Sequence, residues 1–238
     1  MNYQHETYSI HRSPADVLQL QSSFINRVFG WMTLGLGVTG FVSYYLAANH
    51  AAFIVEKQGW FLILMLAEIA LVIGLTSAIK RISPTAAFLG FMAFAALNGV
   101  SLSWIFLVYT ANSIASAFFS TSLTFGAMGL YGWVTKRDLT SLGNLCLMGL
   151  VGIIIASLIN IFVGSSRLNL IISCIGVLLF VGLTAYDTQK IKRLSVAVSE
   201  GSVSEDDGRK LAVLGALELY LDFINLFLYM LRFFGDRK

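Results

Sequence analysis

An all-α, polytopic membrane fold is predicted by three observations: an excess of apolar residues, seven separate apolar runs, and basic residues gathered in alternate connections. Hydrophobic residues make up 57% and charged residues 12% of the 238 positions. Soluble domains carry about twice that charged share, so the chain is read as an integral membrane protein. The mean hydropathy of +0.76 agrees. The runs fall at 28–48, 60–79, 86–109, 112–134, 141–163, 168–187 and 211–234. Each approaches the roughly 20 residues a helix needs to cross a bilayer. Continuous apolarity without strict alternation excludes a β-barrel.

The elements are expected in order. Residues 1–26 are polar and mixed, without an early apolar stretch, so they predict a cytoplasmic N-terminal segment and no cleavable signal. Residues 27–238 form one seven-helix transmembrane domain. Gly35, Gly37 and Gly40 in the first run, and Gly126, Gly129 and Gly132 in the fourth, predict close helix packing. Only Thr110-Ala-Asn112 separates the third run from the fourth, which predicts a tight helical hairpin. Trp31, Trp60, Trp104 and Trp133 lie in or near run ends, several where an interfacial aromatic belt is expected. Ser195 to Lys210 is expected to be a solvated linker. The seventh run, least suited to lipid, is expected to be the central helix with six around it.

Orientation follows from charge. With the N-terminus cytoplasmic, the inner segments hold Arg12, Arg27, Lys80, Arg81, Lys136, Arg137, Lys190, Lys192, Arg193, Arg209 and Lys210, against Lys57 and Arg167 outside. Arg232, Arg237 and Lys238 break this pattern, so the last segment either crosses against the rule or enters and returns. The formal net charge of +3 is too small to indicate nucleic acid. Cys146 and Cys174 sit in apolar runs without neighbouring ligands and are expected to be buried small hydrophobes.

Four acids interrupt the apolar runs or end them: Glu68, Asp187, Glu218 and Asp222. Such groups in a bilayer face protein, pair, or line an ion route. Glu218, Asp222 and Asn225 share one helical face and make a polar stripe. Two carboxyls held together in a low dielectric retain a proton between them and titrate as a pair. Deprotonated, they are hard oxygen ligands for calcium, though a partial set. Helix arithmetic places Asp222 roughly 16 Å beyond Leu211, near mid-membrane, with Asp187 close to the cytoplasmic end of its run. They meet only if the sixth helix continues through Arg193 or the seventh starts before Leu211. Glu68 and Arg81 are thirteen residues apart on the second run, roughly 20 Å, and cannot pair within one helix. Arg81 either snorkels to the interface or turns inward to an acid.

Leu183-Thr-Ala-Tyr-Asp187-Thr-Gln-Lys-Ile-Lys192, Leu219-Tyr-Leu-Asp222-Phe-Ile-Asn-Leu-Phe227 and Arg27-Val-Phe-Gly-Trp-Met-Thr33 resemble the Bax inhibitor 1 family, in the manner of its bacterial members. The resemblance implies six helices around a seventh and a pH-sensitive calcium leak in the bacterial inner membrane. It also implies a di-aspartyl sensor at Asp187 and Asp222, these being the candidate calcium ligands. It further implies a second-helix arginine that latches the closed state, for which Arg81 is chosen over Lys80, assisted by Glu68. Calcium and protons are then the ligands, lipid is the surroundings, and no other cofactor is expected. Catalytic motifs are missing, so no enzyme is expected. The alternative is a regulatory protein binding another membrane protein, such as a quality-control protease, through the N-terminal tail or Ser195 to Lys210.

Overall fold

The computed structural model describes residues 13–56, 59–236 and 238. Arg12, Lys57 and Arg237, used above for orientation, lie outside the described residues. The chain folds as α1 (Pro14–Asn49), α2 (Ala51–Glu56), α3 (Trp60–Ala78), α4 (Pro84–Val108), α5 (Ala111–Val134), α6 (Thr140–Val163), α7 (Ser166–Ser199) and α8 (Glu205–Phe234). The all-α expectation holds. By length and composition, α4 to α8 are each able to cross a membrane, and the apolar part of α3, Leu62–Ala78, is shorter.

Local chemistry sets the helix starts. Ser13 caps α1 in a reciprocal pair with Asp16, and Pro14 occupies the first turn. Ser83, Thr110, Ser165 and Ser204 each accept a backbone N–H at the starts of α4, α5, α7 and α8. Such caps satisfy amides that a helix leaves orphaned and contribute about 1 kcal/mol each. Thus α1 begins at Pro14, and residues 14–26 of the polar N-terminal segment are already helical. Thr110 is the cap that turns α4 into α5, as the short spacer predicts.

The α1 and α4 helices run in parallel at close range. Thr39 Oγ1 donates to the Ala95 carbonyl at 2.8 Å, and one turn on Ser43 Oγ donates to the Gly99 carbonyl at 2.8 Å. The start of α1 meets the α7–α8 turn, where Gln21 Nε2 donates to Ser199 Oγ. The α5–α6 turn lies at the same end, bonded to Gln189 of α7. The far end holds the α4–α5 turn, and the C-terminus docks there: the Thr110 N–H donates to the Asp236 carbonyl, and the Lys238 N–H to that of Val108. α8 therefore traverses the whole bundle and does not turn back. The Lys and Arg residues of the α3–α4 and α5–α6 connections, and those near the end of α7 and the start of α8, share one end, called here the basic end.

α8 is the core helix. Of its most apolar stretch 67% is buried, against 11% for α6. Leu217, Leu219, Tyr220, Leu226 and Leu231 are sealed from solvent. α8 packs on α1, α4, α5 and α7, whereas α3 packs chiefly on α4 and α6 chiefly on α7. The expected ring of six is thus four helices with two outriggers. α6, and α3 apart from Glu68, are apolar round most of their circumference, so lipid solvates those faces as well as protein does.

Three further expectations change. Ser195 to Lys210 is largely helical, with only residues 200–204 as a turn, because α7 and α8 both run on past the apolar zone. Cys146 is buried beside Gly182, but Cys174 is exposed on the outer face of α7. Gly35 lets Phe91 and Tyr220 approach, while Gly37, Gly40 and Gly126 face open space, so the small residues are only partly explained by packing.

Candidate functional site

Residues 188–193 continue α7, and α8 begins six residues before Leu211. Both extensions that the contact required are present. They bring Asp187 and Asp222 to the same level of an antiparallel pair, with the two carboxyls within hydrogen-bonding reach. Two carboxylates offer no donor, so a hydrogen bond between them requires a shared proton. Asp222 is 4% exposed, and its Oδ2 is buried without a hydrogen-bond partner. Asp187 is half-buried.

One turn towards the basic end, Lys190 Nζ donates to Glu218 Oε1 at 2.7 Å. Lys190 and Glu218 are also the charged groups whose fields reach both aspartates. Arg81 is not: it is exposed in the turn after α3, and among the described residues its side chain is not brought to either aspartate. In this conformation the cation beside the aspartates is not Arg81, whose turn follows α3, a helix packed chiefly on α4. Lys190 holds the basic position instead. Its spacing of three from Asp187 was a usable signal, because residues three apart on a helix share a face.

The polar stripe is also divided. Glu218 faces Lys190, Asp222 faces Asp187, and Asn225 Nδ2 donates to the Leu221 carbonyl of its own helix at 2.8 Å. Asn225 thus bonds its own backbone.

Glu68 belongs to a separate chain of polar groups. Asn98 Nδ2 donates to Glu68 Oε2 at 3.4 Å, and Asn98 Oδ1 accepts from the Tyr220 hydroxyl at 3.1 Å. The Tyr220 and Thr39 hydroxyls stand 2.6 Å apart. This chain joins α3, α4, α8 and α1, and Tyr220 is two residues from Asp222. Sequence reasoning passed over Asn98, Tyr220 and Thr39, although Asn98 is the lone side-chain amide of its run.

Glycines seat α7 on both sides of the acidic pair. A Cβ at Gly132 of α5 would collide with the Ala185 carbonyl, and one at Gly143 of α6 would lie 2.5 Å from the Tyr186 ring. Further along α8 the Phe223 ring packs against Phe118 at 5.6 Å and Phe125 at 5.4 Å. These rings pack α8 against α5 immediately beside Asp222.

At the basic end, Gln189 accepts the Leu139 N–H and donates to the Arg137 carbonyl, tying α7 to the α5–α6 turn. Arg193 pairs with Asp138 at 2.5 Å. The Thr140 hydroxyl and then Arg193 hold the Asp138 carboxyl well below the usual carboxylate range.

Among the described residues, no group of three or more His, Cys, Asp or Glu side chains is arranged to hold a metal. The Asp187–Asp222 pair offers at most four oxygens, whereas calcium takes six to eight.

These features define a polytopic α-helical membrane protein with an acidic pair buried between its last two long helices. The family model described as inhibitor of apoptosis-promoting Bax1 matches residues 21–238, and the chain belongs to that family, as the resemblance indicated. It is similar to the inner membrane protein YbhL of Escherichia coli K12, with 48% identity over 219 residues, covering 91% of this chain and 92% of YbhL. It is also 42% identical to a protein of Borreliella burgdorferi, over 92% of this chain and 94% of that one, and 41% identical to RP147 of Rickettsia prowazekii, over 90% of each.

Proposed function

We propose that this protein is a pH-sensitive calcium leak of the bacterial inner membrane, gated by Asp187 and Asp222, and not an enzyme. The observation that carries the reading is the contact of these two carboxyls inside the bundle. A proton held between them ties α7 to α8, and its loss sets two like charges against each other in a medium that screens them poorly. We take the conformation described as the closed one, with the Phe223 ring packed on Phe118 and Phe125 next to the aspartates. Loss of the proton pushes α7 and α8 apart and frees carboxylate oxygens for calcium, so flux rises as pH rises. The name and similarity of YbhL support the inner membrane as the location. The basic end faces the cytoplasm on the positive-inside rule, with the N-terminus inside and the C-terminus outside.

Reconstitution tests this. Liposomes carrying the parent protein leak calcium with a pH-dependent rate, and D187N/D222N liposomes lose that dependence. An unchanged pH profile in the double variant overturns the reading.

The second reading, a regulatory protein that binds another membrane protein, draws on the helical tip of the α7–α8 pair, where Glu205, Asp206, Arg209 and the turn at 200–204 are exposed. Replacing that tip then abolishes partner binding and leaves flux intact.

A further inference from the structure

The α5–α6 turn and α7 enclose a cavity of about 290 Å³ at the basic end. Lys136, Arg137, Lys192 and Arg193 line it, against one acid, Asp138. Two of the four cations are locked by the protein itself. Lys192 Nζ donates to the Trp133 carbonyl at 2.6 Å and stands 5.3 Å from the centre of the Trp133 ring. Arg193 is held by Asp138, by Gln189 Oε1 at 2.8 Å and by Thr140 Oγ1 at 3.3 Å. The other two, Lys136 and Arg137, are exposed, and their side chains have no partner among the described residues. Asp138 is already engaged by Arg193 and Thr140, so the cavity offers a newcomer positive charge. An unpartnered Arg beside an unpartnered Lys matches a phosphate, which takes a forked donor and a point charge together.

The surroundings decide what carries the phosphate. Trp133 stands in the last turn of α5, where it engages the cavity residue Lys192, at the depth an interfacial tryptophan prefers. Below it, Leu130 and Val134 of α5 and Leu142 and Leu145 of α6 are exposed. α5 and α6 both pack on α7 more than on each other, which leaves their exposed apolar side chains to lipid. We propose that this cavity binds the phosphate of an anionic phospholipid headgroup, whose acyl chains lie along the exposed apolar side chains of α5 and α6. Basic pockets between helices on the cytoplasmic side suit such headgroups. A free phosphate could use the same donors but not the apolar side chains.

The full chain in nanodiscs tests the proposal by native mass spectrometry of retained phosphatidylglycerol against phosphatidylcholine. The parent is expected to retain phosphatidylglycerol saturably. K136Q/R137Q is expected to bind it about thirtyfold more weakly, from roughly fivefold per interfacial cation. K80Q/R81Q removes the same charge from the α3–α4 turn at the same end and is expected to bind like the parent. Equal loss in both variants means diffuse surface attraction and overturns the site. A second arm titrates inorganic phosphate and glycerol 3-phosphate against thermal unfolding in detergent. Weak or no stabilisation by these supports the lipid, whereas stabilisation matching that by phosphatidylglycerol overturns it in favour of a soluble anion. Both double variants are expected to melt within a few degrees of the parent, since the four side chains they change are exposed.

Discussion

Lys190 Nζ stands 2.7 Å from Glu218 Oε1, one helical turn from the place where Asp187 meets Asp222. Three carboxyls therefore share one ammonium group across two helices. The arrangement makes the two partners unequal. Removing Lys190 leaves three acids without their cation, whereas removing the charge of Glu218 leaves the cation for the aspartates.

K190Q is accordingly expected to destabilise by about 1–2 kcal/mol and E218Q by less than about 1 kcal/mol, since the pair is half-exposed and partly screened. K190Q/E218Q should fall between them. Thermal unfolding in detergent reads all three, and equal losses in the two single variants would contradict the shared-cation picture.

Tyr220 bridges the Thr39 hydroxyl and Asn98, and its ring packs edge-on against Phe91 and Phe94. Tyr220→Phe keeps the ring and removes the bridge. The expected cost is about 1–3 kcal/mol, because Asn98 Oδ1 loses a buried donor. A fully neutral result in chemical unfolding would show that the chain from Glu68 to Thr39 is dispensable.

Gly132 and Gly126 lie on the same helix in opposite circumstances, one against the Ala185 carbonyl and one in open space. Gly132→Ala must move α5 off α7 and is expected to cost about 1–3 kcal/mol. Gly126→Ala should stay within about 0.5 kcal/mol of the parent. The comparison of the two melting curves isolates the helix contact from any general effect of losing glycine.

Asp138 supplies a pH test outside the membrane-spanning helices. Its carboxyl is held down by Thr140 and Arg193, so its contribution to stability is present above the ordinary carboxylate range and is lost as pH falls through its folded-state value. The parent should therefore melt above D138N at neutral pH, and the gap should close in acid and shrink in high salt. A gap that widened on acidification would be the wrong sign.

Much of this was legible because lipid imposes simple rules. Apolar length located the helices, whereas the starts at Pro14, Pro84 and Ala111 are set by capping Ser or Thr residues that hydropathy does not weigh. The aspartates could be named from their motifs, but their contact could not be derived. It depends on α7 and α8 outrunning their apolar runs, and hydropathy is blind to polar residues that are still helical. Lys190 was hidden for a related reason: a basic residue after an apolar run reads as a topology signal, although its spacing from Asp187 put it on the same face. Asn98 and Tyr220 were missed because one amide and one hydroxyl cost little in a sequence tally and gain meaning only from partners on other helices.

α8, which supplies most of the buried core, follows every other helix described along the chain. The six long helices made before it must wait in the bilayer without the surface that α1, α4, α5 and α7 are shaped to meet. Their apolar faces tolerate that wait because lipid is an adequate temporary partner. α8 has no such refuge, since it carries Glu218 and Asp222 and reaches its tail past Thr110 only when fully in place. Assembly is therefore a final act of closure: without α8 the bundle has no centre, and with α8 in place Asp236 is docked against Thr110.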